Sequence, residues 1–122
     1  MKHRSLVRFL DGDLPQLQFA GEITDEVNDC TNALKSSGSG RVYITDGPES
    51  VLTRDRCRRL LHAVADKVLS PHAASYVADC IIMGDAFDWE DDAVGLAIHF
   101  LADGDTWPLS EEDVRAHIVS LG

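Results

Sequence analysis

Apolar positions along most of this chain step by threes and fours, the period of helices that bury one face. Leu6, Val7 and Leu10 mark a short helix over residues 4–10, ended by Asp11-Gly12-Asp13. Leu14-Pro15 opens a second helix to about residue 35, with Phe19, Ile23, Val27, Cys30 and Leu34 inward. Thr53 is a good N-cap for a helix over 54–68, whose stripe is Cys57, Leu60, Leu61, Val64 and Val68. Ser70-Pro71 starts the next, over 71–83, with a cap and then proline at the first helical position. That helix buries Ala74, Val77, Ala78 and Ile81, is apolar on most sides and is expected at the centre; Gly84 ends it. A fifth, from about 91 to 102, carries Val94, Ala97, Ile98 and Leu101. The last begins at Ser110, with Glu111, Glu112 and Asp113 matching the helix dipole, and buries Val114 and Ile118.

Between the helices the period changes. SSGSG, residues 36–40, is a loop too short to serve as an interdomain linker. RVYIT, residues 41–45, alternates and is β-branched, so it reads as a strand. In FDWEDD, residues 87–92, Phe87 and Trp89 alternate with acids, which suits a short extended segment; 86–90 is the candidate partner for the 41–45 strand. The expected fold is mainly α: one globular domain over 1–122, five to six helices in a bundle, one short β element.

Composition sharpens this. The 122 residues have ordinary hydrophobic content but a net charge of −10. Such a field opposes nucleic-acid phosphate and anionic membrane surfaces and favours a basic partner. No stretch has the roughly 20 apolar residues of a membrane helix, and the basic N-terminus has too short an apolar run for a signal peptide. Cys30, Cys57 and Cys80 are odd in number and far apart, which argues against a disulfide framework or structural zinc and for reduced thiols in the cytoplasm. The acids fall in two blocks. Glu22, Asp25, Glu26 and Asp29 lie on the second helix; Asp85, Asp88, Glu90, Asp91, Asp92, Asp103 and Asp105 lie in a stretch with no lysine or arginine.

Candidate chemistry is thin. Asp11, Asp13 and Glu22 fall at positions 1, 3 and 12 of a calcium loop, but Pro15 and Gln16 stand where a ligand and the turning glycine belong. No metal site or cofactor is expected. Adjacent exposed acids stay solvated and simply ionise, whereas catalytic carboxylates need burial to drive their pKa values apart. Cys57 lies among Arg54, Arg56, Arg58 and Arg59, yet shares the apolar stripe, which makes it a core thiol. Those arginines have acids enough nearby to pair with. Asp79, inside the most apolar helix, needs partners if buried, and reads as a structural group before a catalytic one. The histidines make no HxxxH or HExxH pattern, and there is no GxSxG, GxGxxG or phosphate loop.

That leaves docking. Trp89 flanked by acids supplies a desolvated anchor together with charges that steer a cationic partner, and Trp107 in GDTWPLS offers a second anchor. Acids this crowded repel one another unless something offsets the charge. The succession FLDGDLP, VYITDG, LTRD, SYVADCIIMGDAFDWEDDAV and WPLSEEDV, over about residues 8–118, resembles the small acidic immunity proteins of bacterial polymorphic and contact-dependent growth inhibition toxin systems. The resemblance implies one-to-one binding to a cognate toxin domain, often a basic nuclease, with its active site occluded. The expectation is therefore a non-enzymatic toxin inhibitor, monomeric or weakly dimeric when free. Its expected surface is residues 85–92, with 22–29 and 103–107 contributing. The alternatives are an acidic adaptor or nucleic-acid mimic, and then a small enzyme centred on Asp79.

Overall fold

A computed structural model describes residues 1–37, 44–84, 86–103 and 110–122. Among the described residues, six helices and two short strands run in the order α1 (His3–Leu10), α2 (Gln16–Ser37), β1 (Ser50–Leu52), α3 (Arg54–Ala65), α4 (Pro71–Met83), β2 (Phe87–Trp89), α5 (Asp92–Ala102) and α6 (Glu111–Leu121). The fold is mainly helical with one short β element, as the periodicity predicts.

The caps explain where the helices start. Thr53 accepts from the Arg56 N–H at 3.2 Å, Ser70 from Ala73 at 3.1 Å and Ser110 from Asp113 at 3.0 Å. One ending differs from the sequence reading. The stripe of α3 runs on to Val68, but the helix stops at Ala65. Lys67 turns left-handed at φ 61°, its N–H bonds to the Val64 carbonyl, and the Val68 N–H bonds to the Ala63 carbonyl. This is a Schellman closure with lysine where glycine is usual, so composition did not announce it.

The β element also lies elsewhere than expected. Phe87–Trp89 is extended, but it pairs in parallel with Ser50–Leu52, in register Ser50 to Phe87 and Leu52 to Trp89. Of the expected 41–45 strand, residues 41–43 lie outside the described residues, and Ile44 and Thr45 are in no strand. A parallel pair needs a crossover connection; α3 and α4 provide it.

Helix α4 is central. Ala73, Ala74, Ser75, Tyr76, Val77, Ala78, Cys80 and Ile81 are all buried, and the helix packs on α2 and α5. Ser75 Oγ donates to the Ala102 carbonyl at 2.8 Å, tying α4 to the end of α5. Phe9 and Phe19 stack at 4.4 Å and join α1 to α2. Phe19, Leu60, Leu61, Ile81 and Ile98 are fully buried, each worth roughly 1.5–3 kcal/mol of transfer free energy.

Candidate binding surface

The site begins where β2 runs into α5. Strand alternation turns Phe87 into the core and Asp88 out to solvent. Trp89 is half-buried. Its ring lies on α5 above Gly95, where an added Cβ would stand 3.3 Å from Trp89 Cδ1. His99, one turn further along α5, meets the indole edge-on at 6.3 Å.

The two middle acids are tied to Arg54. Glu90 accepts from the backbone N–H of Arg54 at 2.6 Å, at the start of α3. Asp91 caps α5 by accepting from the Val94 N–H at 3.2 Å, and also takes the Arg54 Nε–H at 2.5 Å. The Arg54 hydrogen bond, followed by the Val94 one, holds the Asp91 carboxyl below its ordinary range. Asp91 in turn raises the pKa of Arg54. One arginine thus faces two carboxylates, leaving one negative charge uncompensated within the trio.

Asp88, Asp92 and Asp103 are exposed and take no part in the Arg54 contacts. Asp92, Leu96, His99 and Asp103 are all exposed and recur at i, i+4, i+7 and i+11, one face of α5. Leu96 stands 66% exposed in the middle of it. The outer face of α5 therefore presents an aliphatic side chain between acids, with Trp89 at its edge.

The second acidic block does not join this face. Glu22, Asp25 and Asp29 are exposed on α2, but α4 packs between α2 and α5. Glu26 is half-buried and accepts from the Met1 ammonium at 2.5 Å and the Tyr76 hydroxyl at 3.2 Å. Asp85, Asp105 and Trp107, also expected in the surface, lie outside the described residues.

The arginine block pairs with acids, as the sequence suggests. Besides Arg54, Arg56 grips Asp11 in a fork, Nε to Oδ1 at 2.7 Å and Nη2 to Oδ2 at 3.0 Å, and Arg58 pairs with Asp55. Cys57 is fully buried. Burial, and secondarily the Asp91 charge, push its thiol up to about 12, the opposite of a reactive thiolate. Asp79 is half-buried on α4. Among the described residues, no group of three or more His, Cys, Asp or Glu side chains is placed to hold a metal ion, and no helix is long and apolar enough to cross a membrane.

Sequence reasoning missed the structural roles of Glu90 and Asp91. For Asp91 a signal was present: an aspartate just ahead of an apolar helical stripe is an N-cap signature. For Glu90 there was none, since its donor lies 36 residues away in the chain. Compared with protein-family models, curated proteins and solved structures, the chain matches none.

Proposed function

We propose that this chain is a binding protein of the immunity type, which neutralises a basic toxin domain in the cytoplasm by covering its cationic active site. The observation that carries this reading is the outer face of α5, where exposed Leu96 sits among Asp92, His99 and Asp103 with Trp89 at its edge. An exposed aliphatic and a partly exposed indole supply area to desolvate. The acids supply orientation and fast encounter with a cationic surface, and the net charge of −10 strengthens the long-range attraction. A carboxylate array in place of phosphates suits a nuclease site in particular. At the start of α5 the Asp91 carboxyl is held below its ordinary range by Arg54, the opposite of what a general acid needs.

The test is coexpression with a toxin domain encoded beside the chain's own gene. Growth rescue and a one-to-one complex, both lost on combined Asp88→Lys and Asp92→Lys substitution, support the reading. A neighbourhood with no toxin gene, or a complex indifferent to both reversals, overturns it.

A further inference from the structure

A second feature lies at the opposite end of β2, where α1, the 44–49 segment and the end of α4 meet. They enclose a cleft of about 380 Å³, within the roughly 300–1,000 Å³ range of ligand pockets. His3 lines it and is only 4% exposed. The ring packs 5.3 Å from that of Phe87 and closes against Gly47, where an added Cβ would stand 2.2 Å from Nδ1. The His3 backbone N–H bonds to Thr45 Oγ1 at 2.9 Å, which holds the residue in place. Yet His3 Nε2 is buried and has no hydrogen-bond partner among the described residues. A buried polar atom left this way costs free energy that an incoming donor would recover.

The surrounding chemistry says which donor. Asp46 and Glu49 line the cleft and are exposed, and no lysine or arginine is among its described lining residues. The cleft therefore attracts a cation. Its walls include the rings of His3 and Phe87, and a planar guanidinium stacks on aromatic faces and matches carboxylates with its fixed fork of donors, where a lysine ammonium is only a point charge. Nε2 is closed to solvent in the resting protein, so a small shift of the His3 ring would be needed to bring its lone pair, with the proton on Nδ1, to one guanidinium N–H.

We propose that this cleft receives an arginine side chain of the basic partner, as a second anchor apart from the α5 face. The proposal rests on the binding-protein reading for its occupant, but its chemistry is testable without any partner. The experiment is an NMR titration of the isolated protein with N-acetyl-arginine methylamide, followed at the His3 ring and the Gly47 and Phe87 amides. Saturable shifts confined to the cleft are expected, with roughly millimolar affinity. Glu49→Gln, an exposed change that should leave the amide spectrum intact, is expected to weaken binding about threefold. Gly47→Leu is expected to abolish it by displacing the His3 ring, which a Cβ there would strike. N-acetyl-lysine methylamide is expected to bind more weakly. An absence of shifts at His3, binding unchanged in Glu49→Gln, or equal binding of the lysine analogue overturns the proposal. None of those results touches the α5 face, which stands or falls on Asp88 and Asp92 with an intact partner.

Discussion

Arg54 and Asp91 join the starts of two helices, with Nε 2.5 Å from Oδ2 although 37 residues separate them in the chain. The Asp91 pKa lies below its ordinary value of 3.8 in the folded protein, so the unfolded chain takes up this proton first as pH falls. The stability Asp91 contributes is therefore fully present above the ordinary carboxylate range and is lost as pH drops through and below it. Urea unfolding of the wild type and Asp91→Asn should differ by a constant amount near neutrality, and the gap should close below about pH 4. Glu111, whose pKa Arg115 lowers in the same way, is common to both proteins and cancels in the comparison. A gap that persists undiminished in acid would show that the ionised carboxylate is not what stabilises.

The acids of 88–92 should separate into two classes by mutation. Asp88→Lys and Asp92→Lys should leave the melting temperature nearly unchanged, Asp92 losing at most about 1 kcal/mol of helix-dipole energy. They should slow association with a basic toxin domain about tenfold, less at high salt. Glu90→Ala should do the reverse, destabilising by up to about 1 kcal/mol because the Arg54 N–H loses its acceptor. Calorimetry and stopped-flow binding on the same three variants would decide it.

Gly95 is small so that Trp89 can lie on α5. Gly95→Leu should lift the indole into solvent and shift its fluorescence to the red, read in a Trp107→Phe background so that Trp89 is the only tryptophan. An unshifted spectrum would mean that Trp89 does not rest where the geometry puts it.

Cys57 should be inert to thiol reagents until the protein unfolds. Its folded pKa of about 12 exceeds its ordinary value of 9.0. The stability linked to this group is therefore intact below about pH 9 and declines as pH rises toward the folded value. Cys57→Ala should be less stable at neutral pH, because it leaves a cavity, but should lose that alkaline slope. Alkylation of native Cys57 at neutral pH would contradict the assignment.

Lys67 holds the left-handed position that closes α3. A side chain there costs roughly 1–2 kcal/mol, of which glycine's greater unfolded entropy offsets a part. Lys67→Gly is expected to stabilise by about 0.5–1 kcal/mol in denaturant unfolding; a loss of stability would show that the lysine side chain matters more than its backbone.

The helices were legible because each carries its own evidence. A serine or threonine cap, a stripe at the helical period and a polar stop are written within a dozen neighbouring residues at Thr53, Ser70 and Ser110. The strand was less legible. Ser50–Leu52 is three residues long, too short for alternation to register, and the more β-branched 41–45 stretch drew the assignment. The acidic face around 88–92 was visible as charge, but its division between solvated and paired acids was not.

Local order in the chain determined the helical class, most helix starts, the central place of α4 and the excess of negative charge, because propensity, capping and amphipathic period act between residues a few positions apart. Tertiary structure alone decided that β2 pairs with β1, that Glu90 and Asp91 belong to Arg54 while Asp88 and Asp92 stay free, that α4 parts the two acidic blocks, and that His3 lies against Gly47 and Phe87 with Nε2 unpartnered. Those outcomes depend on which distant segments the shared core brings within a few ångströms, and hydrogen bonds and ion pairs act only at that range.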